Sequence, residues 1–182
     1  DGEGHEKVQR EGYDQVRIDA REGGGAQTGN IKINTGTTIT WSSANTLKLS
    51  ATGEIYGYGN ITRNGSGALI FNQEGNSTNT GAFSGGYGGV VSGTGSVTKS
   101  GAGTLLLSGS STYTGATLVN NGALKAGTTS PLGSNSAVTV ASGATLNVNG
   151  KTIQIGSLSG AGTISLDGAS GGTLSFGGDN GS

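Results

Sequence analysis

Fifteen consecutive residues, Gly57 to Phe71 (GYGNITRNGSGALIF), superpose without a gap on Gly93 to Leu107 (GTGSVTKSGAGTLLL), 36 positions further on. Glycines fall on glycines, aliphatics fall on apolar residues, and the cation Arg63 falls on Lys99. A third copy, Gly160 to Ile164 and on through Thr173 to Phe176, lies 67 positions beyond the second. A chain that repeats itself on this scale builds a stack of like units rather than one central core. With roughly 18 to 23 residues to a coil, inside the range of solenoid repeats, these offsets correspond to two and three coils. The whole repeat region then holds about seven or eight.

The units are strands. Ile31 and Ile33, Ile39 and Trp41, Leu47 and Leu49, Leu105 and Leu107, and Val138 and Val140 each stand two apart with a mostly polar residue between. Leu146 and Val148, Ile153 and Ile155, Ile164 and Leu166, and Leu174 and Phe176 do the same. That is the period of a strand with one buried face, and no apolar stripe of helical period occurs anywhere. Gly-Ser, Asn-Gly and Gly-Ala-Gly clusters between the pairs supply turns. The expected fold is all-β, a parallel β-helix (β-solenoid) with little or no α-helix. In such a stack each strand pairs with the equivalent strand one coil above and below, so only a thin aliphatic column need be buried. This explains how 39 glycines in 182 residues and a hydrophobic fraction of 31% can still make a fold. An antiparallel sandwich, for which Asn64-Gly65 and Asn121-Gly122 would suit hairpin turns, explains the turns and not the repeats.

Charge divides the chain. Eleven of the 21 charged residues lie in the first 22 positions, and the other ten are spread over the remainder. Residues 1–25, ending in Gly23-Gly24-Gly25, therefore read as a charged lead-in or capping segment, within which Val16 to Ala20 alternates as a strand does. Residues 26–182 read as the solenoid, expected to be a fragment of a longer passenger. A net charge of -1 without basic clusters excludes nucleic acid as a partner. The absence of Cys and the single His5 exclude a disulfide framework and leave any His-based metal site with one ligand. No cofactor and no metal are expected.

The stretch from Gly93 to Gly127, GTGSVTKSGAGTLLLSGSSTYTGATLVNNGALKAG, resembles the passenger-associated repeat of bacterial autotransporters. Gly29 to Ile55, GNIKINTGTTITWSSANTLKLSATGEI, is similar to repeats of haemagglutinin-like adhesins of two-partner secretion. What the resemblance implies is a right-handed β-helix exported across the outer membrane of a Gram-negative bacterium and displayed on the cell surface or secreted. It also implies the partners: an outer-membrane translocator barrel during export, then a host-cell or matrix glycan or protein, or like passenger chains.

Catalytic chemistry finds little to work with. β-Helical polysaccharide lyases and hydrolases need acids clustered on one face, and the acids of the repeat region are Glu54, Glu74, Asp167 and Asp179. Glu54 and Glu74, 20 positions apart, stand about one coil apart, so a carboxylate pair is conceivable there. A serine nucleophile would need a base, and His5 lies in the lead-in. No catalytic residue is assigned. The expected function is a non-catalytic stalk or adhesive segment, with a carbohydrate-active β-helix enzyme as the alternative. Trp41, Tyr56, Tyr58, Tyr87 and Tyr113 remain as contact candidates: Trp41 is expected inward, Tyr56 and Tyr58 outward, and Tyr113 structural.

Overall fold

The structure, a computed structural model, describes residues 7–11, 15–20, 29–42, 44–76, 86–133, 135–168 and 171–177. Of the features singled out above, His5, Gly23-Gly24-Gly25 and Asp179 lie outside the described residues. The chain begins with β1 (Lys7–Glu11) and β2 (Gln15–Ala20), both within the charged leading segment. Then follow β3 (Ile31–Ile33), β4 (Thr38–Trp41), β5 (Thr46–Ala51), β6 (Ile55–Gly57) and β7 (Asn60–Arg63). After them come β8 (Leu69–Gln73), β9 (Val91–Ser92), β10 (Val97–Ser100), β11 (Thr104–Leu107), β12 (Thr117–Val119) and β13 (Ala123–Ala126). The last are β14 (Ala137–Val140), β15 (Thr145–Asn147), β16 (Thr152–Ile155), β17 (Ser157–Ser159), β18 (Thr163–Ser165) and β19 (Thr173–Phe176).

These strands stack as a parallel β-solenoid with three faces. On the first face β2, β5, β8, β10, β12, β14 and β17 pair in that order, all parallel, while β1 pairs antiparallel with the free edge of β2. The second face carries β3 on β6 and then, through single bridges Gly57 to Tyr87 and Tyr87 to Leu107, continues into β11, β13, β15 and β18. The third carries β4, β7 and β9, and extends to residues 112–114, whose Thr112 and Thr114 amides donate to the Val91 and Gly93 carbonyls at 2.9 Å. In chain order β16 and β19, which pair with each other, take the third-face position of the last turns.

Seven parallel strands on the first face enclose about six turns, fewer than the seven or eight expected from sequence. The reason is an unequal coil. From Leu47 the same column recurs at Leu69, Val97, Thr117, Val138 and Leu158, after 22, 28, 20, 21 and 20 residues. The internal repeat also proves to have a different unit. Ile61 lies on β7 of the third face and Leu69 on β8 of the first, whereas Val97 lies on β10 of the first and Leu105 on β11 of the second. The third copy, Ile164 to Leu174, runs from β18 to β19, second face to third. An offset of 36 is therefore one turn and one face, not two turns. What the sequence repeats is a strand, a corner and a strand, and the three copies occupy the three different corners.

The core is a set of one-residue-wide columns. Leu47, Leu69, Val97, Thr117 and Val138 stack on one, and Leu49, Phe71, Lys99, Val119 and Val140 on the next, all buried. Ile31 with Ile55, and Leu105 with Leu124 and Leu146, line the second face. Every apolar pair named from sequence sits on or beside a strand; Leu166 and Phe176, in the last turn, are 46% and 57% exposed. Outward positions carry polar ladders between coils: Asn72 joins Ser50 (3.2 Å) and Ser100 (3.1 Å), Thr62 joins Ser92 (3.3 Å), and Thr139 joins Ser159 (2.9 Å).

Close stacking fixes where glycine is needed. Gly57, at φ +116°, would drive a Cβ into the Ile33 carbonyl one turn below, while Gly36, at φ +83°, has nothing within 4 Å of the same position. Both are strained for an L side chain, but only Gly57 lacks room. Gly36→Ala is expected to cost about 1 kcal/mol, the left-handed backbone penalty, and Gly57→Ala more than about 3 kcal/mol, since backbone cannot move aside cheaply. Urea midpoints of the two variants beside the parent check this, and equal losses would refute it.

Candidate functional site

At several corners the chain turns carbonyls toward the core, and a carbonyl drawn away from water needs a donor. The repeat supplies these. Lys99, 1% exposed and placed between Phe71 and Val119 in an apolar column, donates through Nζ to the carbonyls of Ser100 (2.8 Å), Gly101 (2.7 Å) and Asn121 (3.3 Å). Arg63, its counterpart in the first copy and 3% exposed, donates through Nη1 to the carbonyls of Ser96 (2.5 Å) and Gly67 (3.3 Å). The guanidinium also lies 5.9 Å from the ring centres of Trp41 and of Tyr113, on turns before and after its own.

Uncharged groups do the same work at other corners. Gln73, fully buried, takes the Ile55 amide on its Oε1 (2.9 Å) and donates through Nε2 to the carbonyls of Gly75 (2.9 Å) and Thr104 (2.7 Å). The Tyr87 hydroxyl donates to the Gly59 carbonyl (2.7 Å). Ser136 Oγ donates to the Gly115 carbonyl (2.9 Å), which leaves Thr117 Oγ1 as donor to Ser136 and Tyr113 as donor to Thr117, each at 2.7 Å. Burial pushes the Tyr87 phenol up and the Tyr113 phenol up to about 12, so both stay protonated donors.

The contact candidates separate accordingly. Tyr87 and Tyr113 are interior; Trp41 is half-buried, its Nε1 donating to the Asn45 carbonyl at 3.0 Å; Tyr56 is half-buried, and Tyr58 is 60% exposed. Burial, and then the Glu54 charge, raises the Tyr56 phenol. Sequence reading had the signal for the two cations, their superposition in the repeat, but used it only to set the register. Gln73, Thr117 and Ser136 stand two from Phe71, Val119 and Val138, which puts them in phase with the buried face, but nothing in the sequence says which groups they meet.

Of the acids, Glu54 and Glu74 come to the same corner on successive turns, since the Gly75 amide bonds the Gly53 carbonyl (3.1 Å). Glu74 Oε2 accepts the Ala102 amide of the next turn (2.9 Å), and Asn30 and Asn76 play the same part for the Glu54 (2.7 Å) and Thr104 (2.8 Å) amides. These side chains join turns as structural acceptors. Asp167 lies several turns away, after β18. Among the described residues no three or more His, Cys, Asp or Glu side chains group so as to hold a metal ion.

Residues 97–126 match the family model of the passenger-associated-transport-repeat. The chain carries an autotransporter passenger repeat. The match runs from the first residue of β10 to the last of β13, so the repeat is one complete turn plus the corner that begins the next: Val97 to Lys99 pair with Thr117 to Val119, and Thr104 to Leu107 with Ala123 to Ala126. Lys99 and its three carbonyls, and the Tyr113–Thr117 pair, fall inside it. No match was found among curated proteins or among solved structures.

Burial pulls the Lys99 ammonium down to about 8, with the Glu74 charge opposing the shift. The folded state then holds this proton less tightly than the unfolded chain, so Lys99 charged is a penalty present below pH 8 and relieved as pH rises toward 10.5. Stability is expected to rise across that window by the share Lys99 carries. Lys99→Met removes that share, so the difference between parent and variant urea midpoints should change between pH 7 and pH 10; a difference independent of pH would show that the buried ammonium does not titrate there.

Proposed function

We propose that the chain is a non-catalytic structural segment of an exported Gram-negative surface protein, serving as a rigid stalk whose outer faces make adhesive contacts. The observation that carries this reading is the passenger repeat itself, which spans one complete turn of the solenoid and the corner that begins the next. Most of the buried polar groups at the corners are engaged with the chain's own backbone, Lys99, Gln73, Tyr87 and Ser136 among them, which is what a rigid stalk needs and what a catalytic cleft does not provide. Export across the outer membrane to the cell surface follows from the same family of repeats, and a stack that satisfies its backbone turn by turn can fold progressively as it emerges.

Contact falls to the exposed side chains. Tyr58, 60% exposed on the edge between the second and third faces, is backed by Gly88, where any Cβ would meet its ring. The exposed ring offers apolar surface for a sugar or for a flat apolar patch of a protein.

Fused to a translocator barrel and expressed on intact cells, the segment should be removed by externally added protease. The purified chain should bind host cells or a defined glycan on an array, and Tyr58→Ala should weaken that binding about tenfold, the loss of roughly 1.4 kcal/mol of stacking. The enzymatic alternative rests on the shared corner of Glu54 and Glu74. Turnover of a polysaccharide that Glu54→Gln or Glu74→Gln abolishes would replace the structural reading with that one.

A further inference from the structure

Arg63 is buried to the same degree as the aliphatic core, yet three of its five N–H groups, those on Nε and Nη2, meet no partner. Nη1 is engaged by the Ser96 and Gly67 carbonyls, while Nε and Nη2 have no acceptor. These two nitrogens form one edge of the planar guanidinium, and their N–H bonds point side by side, the fork that accepts a single small anion or a carboxylate. The rings of Trp41 and Tyr113 each lie 5.9 Å from Cζ. The ring faces attract the cation but supply no lone pair to the edge.

No described acid forms an ion pair with this guanidinium, and the one titratable neighbour that bears on it is the Tyr113 phenol, which stays protonated and neutral. A buried cation with two orphan donor nitrogens and no counter-charge is costly. The fold nevertheless makes room for it: Gly93 and Gly95 on the next turn stand where a Cβ would strike Arg63 at its Cβ (2.7 Å) and at Nη1 (2.9 Å). In register the column runs Trp41, Arg63, then Gly93, then Tyr113, so the glycines leave space for the base of the Arg63 side chain and for Nη1.

We propose that the Nε–Nη2 edge of Arg63 binds one small monovalent inorganic anion, of the size and charge of chloride, enclosed between the second and fourth turns of the solenoid. The anion accepts the two parallel N–H groups of that edge, one from Nε and one from Nη2, and neutralises the guanidinium. Lys99 needs none, because its ammonium already has three carbonyl acceptors.

Thermal unfolding of the purified chain in sodium chloride and in sodium gluconate, at matched ionic strength, tests this. A specific site gives a saturable rise in Tm with chloride, as mass action requires, absent in gluconate and absent in Arg63→Gln. Equal Tm in the two salts, or the same chloride dependence in Arg63→Gln, overturns it. Should Arg63→Gln not fold, crystals of the parent chain grown in bromide decide: an anomalous peak within hydrogen-bond distance of Nε and Nη2 supports the site. An ordered water, or nothing, at that edge overturns it.

Discussion

A solenoid must turn corners, and several of the described corners aim backbone carbonyls into the core. The strands themselves are satisfied by their neighbours above and below; the corners are not. Nearly everything distinctive about the interior follows from that constraint. Lys99, Arg63, Gln73, Tyr87 and the Tyr113–Thr117–Ser136 chain are each a different solution to it, and each sits where an aliphatic side chain would leave a carbonyl without a donor.

The same constraint explains why the corner is the unit that recurs. A strand–corner–strand segment needs an inward apolar residue, glycines where adjacent turns touch, and a second apolar pair; two of the three copies add an inward donor, where the third has Leu166. That requirement does not depend on which two faces are joined, so one sequence pattern serves third face to first, first to second, and second to third. The donor is Arg63 in one copy and Lys99 in another. Arg brings a fork with five N–H groups and Lys a point charge with three. The Lys99 site matches three donors to three carbonyls, whereas Arg63 exceeds the acceptors its corner offers.

Buried cations in a passenger-type rod have a functional consequence. The outer faces are left to small hydroxyl and amide side chains that form ladders from turn to turn, and to a few exposed groups such as Tyr58 and Lys32. The interior holds the solenoid together and the exterior is free to vary, as the proposed stalk role requires.

Much of the fold was legible in the sequence. Residues two apart in hydrophobicity gave the strands, the gapless self-similarity gave a stack, and the Gly93–Gly127 stretch gave the passenger repeat, because a strand with one dry face leaves a period of two and a repeated structural demand leaves a repeated sequence. Which faces the copies joined was decided only by pairing: Leu69 stacks on Val97 and not on Leu105, a long-range hydrogen-bond register that no local pattern encodes. Likewise the sequence marked Arg63 and Lys99 as equivalent, but only the closed turn shows that both point inward, since alternation reports the spacing of a side chain and burial depends on what the next coil lays over it.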